Sequence, residues 1–339
     1  MQALDECGVE AFYLGSCSVL YRMFREAGFV SQFTRLPRAP VTLTSLLVFT
    51  LLFPFAFIRA GMLMYLAKKK WQIDHVYMLS LTDKLLMTPW AHLLGLQVLW
   101  LEHARLGRSF YKNPWRPWYS FCSRWATVVV TSDAMLPLIT PYVRRAVSIP
   151  CAVLTEKPQA LRAPIAEFLK GGFAMATVAR LTEDKGVDMV VKLVQSKPDI
   201  RLVVVGDGPL EERLHAMAPD GQVCFVRELP RAELFSLYSQ LDLFVLASRE
   251  MDPFGMVAAE AMWMGTPVLM THAVGFSSEL KNGRQALVVE PRFSELDRAV
   301  KFLMRHPETL DQMSEEGRAF VRSRHRLDFM VRSFCALLK

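Results

Sequence analysis

Beyond residue 170 the chain alternates short apolar runs with amphipathic stretches. FAMATVARL, IRLVVVGDG, QVCFVREL, DLFVLAS, TPVLMTH and ALVVE each hold a short apolar run rich in Val, Leu and Phe, the pattern of strands buried on both faces. Between them GVDMVVKLVQS, PLEERLHAMA, RAELFSLYSQ and residues 254–264 repeat apolar positions every three or four residues, which predicts covering helices. Strand–helix–strand units repeated in this way predict a doubly wound parallel sheet. The first half carries the same rhythm in weaker form, in VEAFYLGS, DHVYMLSL, QVLWLEH and ATVVVTS. The stretch IPCAVLTEKPQALRAPIAEF holds Pro150, Pro158 and Pro164 and no clear alternation, and residues 151–170 read as a linker. The expected organisation is a domain of residues 1–150, the linker, a second domain of residues 171–325, and a C-terminal helix of residues 326–339 returning to the first domain. Ligands would meet the carboxyl ends of the strands in a cleft between two similar α/β domains.

One stretch breaks the pattern. Residues 39–58, APVTLTSLLVFTLLFPFAFI, carry no charge and are long enough to qualify as a transmembrane candidate. Strands predicted on either side of it, if they share one sheet, forbid a crossing, and Pro54 and Arg59 interrupt the apolar helix that continues to Ala67. The reading is an exposed apolar helix or re-entrant hairpin in one leaflet, with Lys68, Lys69 and Lys70 reaching acidic headgroups. Residues 39–70 would thus hold the protein peripherally on the cytoplasmic face of a membrane.

Composition narrows the partners. The 339 residues are 52% hydrophobic and 22% charged, which excludes a disordered chain. Net charge is +7 and the pI about 9.1, so anionic partners are expected: phosphorylated small molecules or acidic lipid surfaces. No basic block is interleaved with aromatics, which argues against nucleic acid. The six cysteines are widely separated, with no metal-ligand or disulfide spacing, and read as ordinary buried thiols in a reducing compartment.

Three motifs could carry chemistry. In VARLTEDKG, Arg180 and Lys185 would stand at the carboxyl edge of a strand, where a guanidinium and an ammonium suit a diphosphate; pairing with Glu183 and Asp184 is the bland alternative. In VVVGDGPLEERL the third glycine of a dinucleotide fingerprint is missing, so Gly206 and Gly208 read as a tight turn, with Pro209 at the first helical position. In DPFGMVAAEAMWMG, Phe254 and Gly255 would end a loop as a helix begins, aiming free amides and the positive dipole end at an anion. Glu260, two turns along, could accept from vicinal ribose hydroxyls, and Asp252 from sugar hydroxyls; a satisfied structural carboxylate is the alternative for each. His103 follows an apolar strand and would project from its end.

These stretches together resemble the retaining nucleotide-sugar glycosyltransferases of family 4 (group 1), strongly over residues 171–295 and loosely before them. The resemblance implies the GT-B fold: α/β, with two Rossmann-like doubly wound domains facing across a cleft. The family's paired-acid motif, E-x7-E, maps onto Asp252 and Glu260, with Asp in the first place. By this resemblance His103, Arg180, Lys185, Asp252 and Glu260 are the catalytic set, and Phe254, Gly255, Met256, Val257 and Glu279 bind substrate. Arg180 and Lys185 would hold the donor diphosphate, Glu260 the ribose, and Asp252 with the amides near Gly255 and Met256 the transferred sugar. The implied activity needs neither metal nor cofactor, and moves a sugar from a UDP- or GDP-type donor to a lipid-linked or cell-envelope glycan. Three departures accompany the likeness. The first strand and its glycine-rich loop are expected to be missing, the linker reads IPCAVLTEKP, and a glycine is absent from VCFVREL. They keep open a catalytically silent nucleotide-sugar-binding subunit of a glycan-assembly complex. The GDGPLE stretch leaves a third, NAD-dependent alternative.

Overall fold

A computed structural model describes residues 8–102 and 112–338. The chain divides into two compact units. One comprises residues 1–131, 135–150 and 330–339; the other comprises residues 132–134 and 151–329.

The second unit is built on six parallel strands. They are β7 (Phe173–Val178), β8 (Ile200–Val205), β9 (Val223–Val226), β10 (Leu243–Leu246), β11 (Val268–Thr271) and β12 (Leu287–Val289), in the order β12-β11-β10-β7-β8-β9. The chain starts in the middle at β7, winds outward through β8 and β9, then returns to lay β10 on the other side of β7. β7 and β10 are therefore neighbours whose connections leave in opposite directions, the switch point at which such sheets open a ligand crevice. Alternation along the strands sorts their side chains into two cores. Ala174, Ala176, Val203, Val205, Phe244 and Leu246 face one layer of helices; Met175, Leu202, Val204, Leu243 and Val245 face the other. Covering both faces is what makes these strands apolar without a polar alternate.

Within the stretch read as a linker, helix Ala163–Leu169 forms and packs Ile165 and Leu169 into the first of these cores. Pro209 does not open a helix as expected. Leu210 caps helix Glu211–Met217, and Pro209 precedes it by two residues.

The first unit carries β3 (His75–Met78), β4 (Gln97–Glu102), β5 (Ala126–Val130) and β6 (Ala146–Ser148), parallel and in chain order. From the C-terminal helix Leu327–Leu337, Phe334 meets Tyr77 of β3 edge-on, with ring centres 5.7 Å apart. β1 (Tyr13–Gly15) pairs only with β2 (Ser31–Phe33), in a separate two-stranded parallel ladder. The condition that VEAFYLGS and DHVYMLSL share a sheet is thus not met among the described residues, and the argument against a membrane crossing that rested on it falls. The apolar segment forms one helix, Leu43–Trp71, which runs through Pro54 without ending. An interior proline costs about 3 kcal/mol. Here the helix survives because Phe49, Ala56, Ala60 and Met64, on both sides of Pro54, are buried in the core of the unit. Cys122 is buried and its thiol is pushed up to about 12 by that burial, whereas Cys17 is exposed, contrary to the reading of uniformly buried thiols.

Candidate functional site at the switch point of the second unit

After β7 the chain passes Arg180, makes a tight turn over Glu183–Lys185, and enters helix Val187–Val194 through Gly186. Gly186 has φ 65°, and a Cβ there would sit 2.1 Å from the Ala247 carbonyl oxygen just beyond β10. Only glycine lets the two switch-point loops close to this distance. Arg249 locks the same junction, with Nη1 and Nη2 each 2.6 Å from the Asp188 carboxylate and Nη1 donating to the Glu183 carbonyl. Gly206 and Gly208 bring the loop after β8 against the carbonyls of Ala179 and Leu181, which flank Arg180. Arg180 itself is exposed.

Lys185 and Asp252 meet across the loops, Nζ to Oδ2 at 2.6 Å, and both are largely shielded, at 15% and 17% side-chain exposure. The Asp252 backbone is fixed as well: its N–H donates to Ala273 O, and its carbonyl accepts from Gly275 N–H, each at 2.7 Å. Three residues on, Gly255 (φ 91°) opens helix Met256–Met264 with no side-chain cap. A Cβ on Gly255 would lie 2.4 Å from Val274 Cγ1, so the close turn requires glycine. The first-turn amides of Met256 and Val257 have no intrahelical acceptor, and both residues are partly exposed. Such an end suits an anion.

Glu260 is 7% exposed, and its carboxylate has found partners within the chain. Arg231 Nη2 lies 2.6 Å from Oε1, and Tyr238 Oη donates to Oε2 at 3.5 Å. Burial raises the Glu260 pKa, with the Arg231 charge opposing it. Both partners stand on helix Arg231–Tyr238, which follows β9. A carboxylate offers about four lone-pair directions, so capacity remains for two vicinal hydroxyls.

The structure therefore joins Lys185 to Asp252 and places Gly255, Met256 and Val257 at the next helix start. Two expected substrate contacts are differently placed. The Phe254 ring is buried against Phe276 and His325, with centroids 5.1 and 5.5 Å away, so its side chain belongs to the core. Glu279 is also enclosed, its Oε2 3.5 Å from Nε2 of the fully buried His325. Burial, with help from the Asp133 charge, pushes its carboxyl up to about 7. His103 lies outside the described residues. The residue before it, Glu102, is buried, accepting from Lys84 Nζ at 2.6 Å and Tyr119 Oη at 2.9 Å. Arg231, Arg249 and Lys84 were all missed in the sequence, where only proximity after folding marks them.

The enclosed Glu279 gives a pH prediction. The folded chain holds a proton on Glu279 up to about pH 7, while the unfolded chain releases it near 4.5. Stability from this group is full below 4.5 and is lost as pH rises through 7. Burial lowers His325 below its ordinary 6.5, so acid destabilises through that ring instead. Glu279→Gln, which mimics the protonated acid, should raise the melting temperature at pH 8 by the equivalent of about 1–3 kcal/mol. Thermal denaturation at pH 5 and 8 checks this; a gain of equal size at both would disprove the assignment.

Taken together, parallel α/β units of this kind define the GT-B fold. The chain superposes on the crystal structure of Anabaena HepE in complex with UDP with a TM-score of 0.78, at 13% identity, covering 97% of this chain and 99% of that one. Residues 164–320 match the family described as glycosyl transferases group 1. That match lies within the second unit. The chain is 29% identical over 170 residues to the mannosylfructose-phosphate synthase of Agrobacterium fabrum, covering 45% of this chain and 37% of that protein. It is 30% identical over 156 residues to the GDP-mannose-dependent alpha-(1-6)-phosphatidylinositol monomannoside mannosyltransferase of Mycolicibacterium smegmatis, covering 42% and 41%. The match thus spans about two-fifths of the length of these curated relatives.

Proposed function

We propose that the chain is a retaining, metal-independent glycosyltransferase that moves a hexose from a nucleoside-diphosphate sugar to a lipid-linked or cell-envelope glycan. The observation that carries this reading is the shielded Lys185–Asp252 pair beside the uncapped start of helix Met256–Met264, at the switch point of the sheet. Lys185 and Arg180 neutralise the departing diphosphate, and the amides of Met256 and Val257 add positive potential without a cation. Asp252 trades part of its bond to Lys185 for sugar hydroxyls, and Glu260, oriented by Arg231, accepts from the ribose. The anomeric carbon–oxygen bond to the diphosphate breaks as the acceptor oxygen bonds on the same face. The acceptor proton passes to the departing phosphate oxygen. His103, next to the buried Glu102, is assigned to the donor sugar and acceptor side. No cofactor beyond the donor is invoked. The name of one relative, a GDP-mannose-dependent phosphatidylinositol monomannoside mannosyltransferase, supports a nucleotide-sugar donor and a membrane-borne acceptor. The enzyme would act at the cytoplasmic face, held there through residues 39–70.

The test is a donor screen over UDP-, GDP- and ADP-sugars in EDTA with membrane extract as acceptor, with product anomers read by NMR. One donor should be consumed and its anomeric configuration kept. Donor binding without any turnover would support the silent-subunit reading instead, and inversion would remove the retaining assignment.

A further inference from the structure

Helix Leu43–Trp71 is the one described helix long and apolar enough to cross a membrane, yet only 22% of its most apolar window is buried in the protein. Its two sides differ. Phe49, Ala56, Ala60 and Met64 are sealed into the first unit, and Gly61 lets the Trp90 ring lie directly on the helix. On the other side Leu47, Leu51, Phe55, Ile58, Met62 and Tyr65 are all exposed, Leu51 at 77% and Phe55 at 74%. Their spacing of three and four residues makes a single stripe. With the flanking side chains it leaves on the order of 1,000 Å² of apolar surface in water, against the few hundred that monomers ordinarily show.

We propose that this helix is an in-plane docking surface for an anionic lipid bilayer, its stripe immersed below the headgroups and its opposite face still packed on the first unit. The proposal deepens the membrane component of the proposed function and rests on it only for the location of the acceptor. Two observations select this mode. First, the helix is fastened along most of its length. Phe49 and Phe53 contact Trp115, and Trp115 Nε1 donates to Thr50 Oγ1 at 3.1 Å. Trp90 Nε1 donates to Phe57 O at 2.8 Å, and Lys68 Nζ to Leu94 O. A crossing would strip these contacts or drag a sheet with open edges into hydrocarbon, where its unpaired backbone groups find no partners. Second, the charge around the stripe has one sign. Arg35, Arg38, Arg59, Lys69 and Lys70 are exposed, and no Asp or Glu occurs between Glu26 and Asp74. A two-fold contact with a second copy would set cations against cations, whereas anionic headgroups complement them.

Flotation of the full chain with phosphatidylcholine vesicles, with and without phosphatidylglycerol, tests the surface. Binding should be at least tenfold stronger to the anionic vesicles. It should fall at least tenfold in Leu51→Glu/Phe55→Glu, with circular dichroism and binding of UDP and GDP in solution unchanged. Spin labels placed one at a time at positions 47, 55 and 62 should report one shallow depth. Unchanged flotation of the double variant, labels reaching the bilayer midplane, or self-association through the stripe without vesicle binding would each overturn the proposal. Nucleotide binding separates the two readings: its failure with flotation intact removes the glycosyltransferase reading and leaves the membrane surface standing.

Discussion

Lys185→Ala is expected to lower kcat/KM for the nucleotide-sugar donor by about 10²–10³-fold, the scale of losing one preorganised charge partner of a developing anion. The effect has two sources. The ammonium that meets the leaving diphosphate disappears, and Asp252, now 2.6 Å from that ammonium, is left as a shielded carboxylate without its counter-charge. The second source opposes binding of an anion, so the loss should exceed that of Arg180→Ala, whose side chain is exposed. Lys185→Arg should recover part of the rate, because the charge returns with altered reach. Initial-rate kinetics on the donor found in the screen checks this. A Lys185→Ala enzyme within threefold of wild type would remove Lys185 from the site.

The largest expected loss of stability lies in the other unit. Lys84 is 2% exposed and donates to both Glu102 and the Leu101 carbonyl, each at 2.6 Å, while Tyr119 also donates to Glu102. Burial lowers the Lys84 pKa, and the Glu102 charge is the main influence opposing it. Glu102→Ala would strand the ammonium, at a cost of about 3–5 kcal/mol. The double change Lys84→Met/Glu102→Ala, which removes both charges, should be markedly more stable than Glu102→Ala alone. Denaturant unfolding of the wild type, both single variants and the double variant measures the coupling. A single-variant loss under about 1 kcal/mol, the range of an exposed pair, would show that the pair is not a buried network.

Much of the second unit was legible because its strands are buried on both faces. β10 announces itself as an unbroken apolar run and β8 as one interrupted only by Arg201, and Gly255 before MVAAEAMWM marks a helix start. β2, by contrast, is three residues, SQF, partly to fully exposed, and no pattern distinguishes it from a loop. The long apolar helix was visible, but the rings that hold it on either side of Pro54 are distant in the chain: Trp115 and Trp118 against Phe53, and Trp90 and Trp118 against Phe57. The acids of the site and Lys185 were legible by their type and spacing, whereas Arg231 and the pairing of Lys185 with Asp252 were not. Arg231 lies 29 positions from Glu260, and Lys185 lies 67 from Asp252. Such separations leave no periodicity to read. The side chains of Phe254 and Glu279 turn inward for a related reason: residues beside a ligand loop can point into the core, where Phe276 and His325 lie against them.

The central claim is that a nucleoside diphosphate rests on Lys185 and the start of helix Met256–Met264, with Glu260 on its ribose. Calorimetric titration of UDP, GDP and inorganic pyrophosphate into the full chain in EDTA tests this directly. Lys185→Ala should weaken the preferred nucleotide and pyrophosphate alike, each at least tenfold, while Glu260→Ala should weaken the nucleotide and leave pyrophosphate unchanged. Equal affinities in wild type and both variants would contradict it.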